Sequence, residues 1–158
     1  MRLLQTLFIF TALSATELAP ANGQADDLKT TMLQIDGACV QLTSPTADLT
    51  KQCSGKLIKI VFPSDQSIFM VFYGKDAALT FGGPGKSLLS GMTSMTIDSL
   101  SVDADRKHPA TRFDATGGCS FSNPFSGPVR IECKAETAEG TYTFQFVTNG
   151  KQPRVGQK

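Results

Sequence analysis

Apolar and polar residues alternate with a period of two along most of this chain, and the spacing of an amphipathic helix is nearly absent. In Val129-Arg130-Ile131-Glu132-Cys133-Lys134-Ala135-Glu136 the apolar side chains take the odd positions and charges of alternating sign take the even ones. Such a segment turns one face to a core and the other to water, as a strand does. Thr141-Tyr142-Thr143-Phe144-Gln145-Phe146 repeats the alternation with aromatics on the apolar face, and Glu139-Gly140 before it has turn chemistry. The two runs are expected to pair as a hairpin, with Cys133 directed inward beside Ile131.

Further strands are predicted over Ala38 to Leu42, Lys56 to Phe62, Ser67 to Tyr73, Ala77 to Phe81, Met95 to Val102 and Phe113 to Phe121, with Pro63-Ser64-Asp65, Gly74-Lys75-Asp76 and Gly82-Gly83-Pro84-Gly85 as breaks. In Met95 to Val102 the apolar positions change parity, which a bulge near Asp98-Ser99 would explain. Short strands at this spacing point to an all-β fold, an antiparallel meander forming a β-sandwich or small β-barrel. Ser67 to Tyr73 breaks the alternation, because both of its faces are apolar. Either a loop such as Lys86 to Thr93 covers the second face, or one face is an apolar binding surface, for which Phe69, Val71 and Tyr73 are the candidates.

Four cysteines fall at matched positions. Cys39 to Cys53 and Cys119 to Cys133 span the same interval, and each pair brackets a turn-prone stretch containing proline. Three pairings are possible and the long-range ones stay open, but the local pairs are preferred because each loop is short. Closing a loop of about 15 residues stabilises by about 3 kcal/mol in the chain-entropy model. A zinc site would need closely spaced cysteines and no Cys-x-x-Cys occurs, so no metal is expected.

An even cysteine count suits export, and the first residues read as a secretory signal: Arg2, then an apolar stretch from Leu3 to Ala15 and small residues up to Ala25. The expected organisation is a signal peptide over 1–25, one disulfide-stapled β-domain over 26–147 and a polar, disordered tail over 148–158. The apolar stretch is too short for stable membrane insertion. A net charge of +1 with 18% charged residues gives no field that argues for nucleic acid.

Candidate chemistry is sparse. Gly82-Gly83-Pro84-Gly85-Lys86-Ser87 ends like a phosphate-binding loop, but Thr80 stands where the first glycine belongs. His108, the only histidine, lies in the polar segment Asp103 to Pro109 with no nucleophile near it in sequence. Asp103, Asp105 and Asp114 lack the glycine and terminal glutamate of a calcium-binding loop. No catalytic residue, cofactor or metal is expected.

Cys53-Ser54-Gly55-Lys56-Leu57, Val61-Phe62, Phe69 to Phe72, Phe81-Gly82-Gly83, Ile97-Asp98, Gly118-Cys119-Ser120-Phe121, Ile131-Glu132-Cys133 and Gly140-Thr141-Tyr142-Thr143-Phe144 resemble a group of small exported four-cysteine bacterial proteins of uncharacterised function. The shared cysteines, glycines and aromatics fix a fold and not a reaction. Cys53-Ser54-Gly55 and the strand after it are also similar to the opening of the periplasmic inhibitors of C-type lysozyme, small disulfide-containing barrels, with Ser90-Gly91 comparable to their inhibitory loop. The expectation is a non-enzymatic periplasmic or extracellular domain, monomer or weak homodimer, that binds a protein or a small apolar ligand. A lysozyme-type hydrolase inhibitor is the first alternative and a cell-wall or carbohydrate-active enzyme the second.

Overall fold

The computed structural model describes residues 30–62, 64, 66–85, 94–105 and 107–157. The strands are β1 (Thr31–Ser44), β2 (Ala47–Asp48), β3 (Cys53–Val61), β4 (Gln66–Tyr73), β5 (Ala77–Pro84), β6 (Ser94–Asp103), β7 (Thr111–Phe121), β8 (Arg130–Thr137), β9 (Gly140–Thr148) and β10 (Arg154–Gln157). They pair antiparallel in the order β10-β1-β3-β4-β5-β6-β7-β8-β9, and β9 also pairs with β1. That last ladder closes β1 and β3 to β9 into an eight-stranded barrel. Of sandwich and barrel, the chain forms the barrel. The expected leader over 1–25 and the covering loop Lys86 to Thr93 lie outside the described residues.

β1 carries the closure. Its first half pairs with β3 on one edge, from Thr31↔Val61 to Asp36↔Lys56, and with β10 on the other, from Thr31↔Gln157 to Gln34↔Arg154. Its second half pairs with β9, from Gly37↔Thr148 to Thr43↔Thr143, with a register shift between Cys39 and Gln41. Gly37 stands at the handover. A Cβ there would lie 2.6 Å from the Phe146 ring and would run into the Val147 carbonyl oxygen, so only glycine lets the two strands approach. The sequence pattern recognised this strand only from Ala38, yet Leu33 and Ile35 are buried while the alternating Gln34 and Asp36 are only partly buried.

The tail departs from expectation. It does not fray after Thr148: residues 154–157 form β10 along the part of β1 that β9 does not reach. Ladder hydrogen bonds are made by the backbone, so a polar segment satisfies an open edge as well as an apolar one. Arg154 Nη2 also donates to Asp36 Oδ2 at 3.1 Å, and Pro153 is buried.

The lumen is packed. Leu33, Ile35, Leu57, Phe69, Val71, Leu79, Phe81, Leu100, Phe144 and Phe146 are all buried, and Phe144 lies between Phe81 (centroids 6.2 Å apart) and Phe146 (5.9 Å). In an eight-stranded barrel the interior is just wide enough for side chains to fill. The parity change in β6 is accommodated as expected: the register shifts between Ile97 and Ser99, which keeps Met95, Ile97 and Leu100 all buried.

Both local disulfides form, but they do different things. Cys119 and Cys133 sit directly opposite one another in the β7–β8 ladder, and both are buried. Cys39 and Cys53 instead join β1 to β3 beyond the last paired residues of their ladder, Asp36 and Lys56, where the strands diverge. Two buried or half-buried disulfides place the chain in an oxidising, non-cytoplasmic compartment.

If β10 completes the closure, a chain ending at Asn149 should still form a barrel but with the Thr31–Gln34 edge open. Its melting temperature is expected to fall by more than about 5 °C, and it should self-associate through that edge. Thermal unfolding and size-exclusion chromatography check this; an unchanged melting temperature and a monomeric profile would show that β10 adds nothing to closure.

Candidate functional site

The two ends of the barrel differ. At one end lie the turn at Pro45-Thr46, the turn at Gly74 to Asp76, the described residues 104–105 and 107–110 between β6 and β7, and the turn at Ala138-Glu139. Gly74, with φ +60, supplies the left-handed residue that the β4–β5 turn requires. The segment after β1 folds back at this end. Leu49 N–H donates to the Leu42 carbonyl (2.8 Å), and the Leu42 N–H donates to Thr50 Oγ1 (3.0 Å). The Asp48 carboxylate accepts from the Thr50 N–H at 2.9 Å, and its hydrogen bonds with Thr50 hold the carboxyl below its ordinary pKa.

This fold-back leaves a cup of about 430 Å³ in the mouth of the barrel. Leu49, Leu79, Val102, Phe113, Tyr73 and Tyr142 give it an apolar lining, and the turn residues Ser44 to Ala47 and Glu139 form the rest. Each strand contributes through its inward parity: Tyr73 ends the β4 series Phe69, Val71, Tyr73, and Tyr142 begins the β9 series Tyr142, Phe144, Phe146. The Phe113 and Tyr142 rings lie 6.4 Å apart and tilted. Burial, with Tyr142 and Asp103 as lesser causes, raises the pKa of Tyr73; burial and then Glu139 raise that of Tyr142. Both phenols therefore stay protonated through the neutral range and can donate a hydrogen bond. Apolar walls with a few convergent polar groups are the general form of a small-molecule site, and barrel mouths are among its usual locations.

Toward the other end lies a second unusual feature. Lys59 has no exposed surface, and its Nζ has no hydrogen-bond partner. It occupies an inward position of β3, and Nζ lies 4.4 Å from the ring centroids of both Phe69 and Phe121. Those two rings meet edge to face at 5.3 Å, so the ammonium has aromatic π-density where a carboxylate would be usual. Burial pushes its pKa down to about 8. Lys59 is the sole ionisable side chain among the described buried residues other than Tyr142.

The structure reverses the face assignment of the apolar strand. Phe69 and Val71, taken from the sequence as a candidate binding surface, have no exposure and belong to the core; of that set only Tyr73 reaches the cup. The outward face is Ile68, Met70 and Phe72, half-buried and adjoined by Ile58 and Ile60 of β3. Cys39, Cys53, Cys119 and Cys133 are all in disulfides. His108 is exposed and hydrogen-bonded through Nδ1 to Asp105 Oδ2 at 2.8 Å, away from the cup lining. Among the described residues no group of three or more histidine, cysteine or acidic side chains converges as a metal site. Ser90-Gly91 and Lys86-Ser87 lie outside the described residues.

Sequence reading missed Lys59 and most of the cup. A signal for the lysine was present, since in Leu57-Ile58-Lys59-Ile60-Val61 it takes the parity of Leu57. The cup draws on seven strands and the turns at Pro45-Thr46 and Glu139, and no local pattern announces that. No family model, curated protein or solved structure matches the chain.

Lys59 makes stability depend on pH in a defined sense. Its folded pKa of about 8 lies below the ordinary 10.5, so between those values the unfolded chain binds more protons. Stability should therefore rise with pH across that window by about 3 kcal/mol from this group, and the cost of burying the charge is fully present below it. Lys59→Met, which fills similar volume without charge, should be more stable than the parent at neutral pH by about 1–3 kcal/mol, and that advantage should shrink toward pH 10.5. Urea unfolding of both proteins across the pH range is the measurement; a parallel pair of profiles would mean that the amine is not desolvated.

Proposed function

We propose that the chain is an exported domain of the bacterial envelope, periplasmic or extracellular, that binds a small apolar ligand in the mouth of its barrel. The observation that carries this reading is the cup of about 430 Å³ between Leu49, Tyr73, Leu79, Val102, Phe113 and Tyr142. It is an apolar concavity of the size that small ligands fill, in a wall held rigid by a closed hydrogen-bonded sheet. The two disulfides and the signal-like run from Arg2 to Ala25 support export. Burial of ligand surface against the lining would drive association, and the protonated phenols of Tyr73 and Tyr142 would orient a polar substituent.

The chain itself supplies the reporter. It has two tyrosines and no tryptophan, and both tyrosines line the cup, so intrinsic emission reads that site alone. Titration with a neutral naphthol should quench the emission saturably. Phe113→Ala should weaken binding by about fivefold or more, whereas Ile68→Thr on the outer wall should leave it unchanged. Equal losses from both variants, or a response that does not saturate, would refute a ligand site in the mouth.

A further inference from the structure

The cup has a charge character as well as an apolar one. Among the described residues Glu139 is the only charged one in its lining, and no described lysine, arginine or histidine contributes to it. The Glu139 backbone N–H donates to Thr137 Oγ1 at 3.2 Å, which fixes the turn, while its carboxylate has no ion-pair partner among the described residues. Lys51, two residues after Leu49, is not part of the lining, and Lys75 and Lys107 line an adjoining hollow together with Gln52, Asp76 and Asp105, with Tyr73 common to that hollow and the cup. Among the described residues, three aromatic rings, those of Tyr73, Phe113 and Tyr142, thus share a concavity with one carboxylate and no base. Aromatic faces attract cations through the ring quadrupole, most strongly where water is excluded. The protein uses that attraction internally already, holding the Lys59 ammonium between two phenylalanine rings.

Building on the reading of the mouth as a ligand site, we propose that its ligand is an organic cation, a small molecule with an alkylated ammonium head and an apolar or aromatic body. The head lies against the rings of Tyr73, Phe113 and Tyr142 with Glu139 at the rim, and the body fills the space toward Leu79 and Val102. An alkylated ammonium suits this lining better than a primary one: it spreads its charge over methyl groups, needs no hydrogen-bond acceptors and is cheaply desolvated. Burial is the main cause of the raised pKa of both phenols; the lesser contributions of Asp103 to Tyr73 and of Glu139 to Tyr142 are those of negative charges, which also favour a cation.

The test compares three probes on the disulfide-bonded domain, followed by tyrosine emission and calorimetry: benzyltrimethylammonium, its uncharged carbon isostere neopentylbenzene, and phenylacetate. The cation should bind between about threefold and thirtyfold tighter than the isostere, and the anion should bind weakest. Glu139→Gln, in an exposed turn where folding is readily checked by circular dichroism, should weaken the cation several-fold and leave the isostere unchanged. Equal affinity for cation and isostere, or indifference of the cation to Glu139→Gln, overturns the cation preference while leaving the apolar mouth intact. Failure of all three probes and of the naphthol to perturb the tyrosines overturns both readings together.

Discussion

Everything in this molecule depends on the ladder that joins β1 to β9. An open meander of these strands would leave two edges with unpaired N–H and C=O groups and a sheet with one face against nothing. Closing it satisfies the edges and creates the lumen in the same step. Because closure brings together segments about a hundred residues apart in sequence, as at Thr43 Oγ1 and Thr143 Oγ1 (3.0 Å), it carries a loop-closure cost that local pairing does not. The Cys39–Cys53 bridge bears on that cost, since it ties β1 to β3 just where β1 leaves the β3 ladder for β9. Gly37 belongs to the same device, as the position at which the strands come too close for a side chain.

A filled lumen explains why a buried charge toward one end and an open cup at the other stand out. Eight strands leave room for side chains and little else, so phenylalanine and leucine occupy the middle layers. Toward one end the filling includes Lys59, whose ammonium is tolerated because two aromatic rings partly replace the lost water and because its pKa falls toward neutrality. At the other end the inward series terminate in Tyr73, Val102, Phe113 and Tyr142, and the fold-back around Leu49 does not fill the space above them. The cup is what remains when long side chains at the rim meet a short overlying turn.

The same geometry bears on specificity. The walls of the cup are strand residues, fixed by ladders on both sides, while its rim comes from turns, where substitutions disturb the fold least. Glu139 lies in such a turn, so its side chain can be changed at the rim without removing a barrel strand residue. Tyr73 and Tyr142, each with an apolar ring and a polar hydroxyl, both line the cup.

Much of the fold was legible in the chain because period two is a local property. Eight strand segments, the bulge at Asp98-Ser99 and the inward Cys133 beside Ile131 could be read from neighbouring residues alone, and the local cysteine pairs, preferred among three possible pairings, are the ones that form. What was not legible depended on residues far apart in sequence. Alternation is the same in a sandwich and a barrel, and only the β1–β9 ladder distinguishes them. Where both faces of Ile68 to Tyr73 are apolar, parity carries no sign, so the choice of Phe69 and Val71 for the lumen was made by which strands curl around them. The polar tail held no hydrophobic signal, because β10 is recruited by the free backbone of β1 and not by its own side chains. The burial of Lys59 and the assembly of the cup were likewise decided by tertiary structure, since each arises only where side chains from several strands meet inside a closed wall.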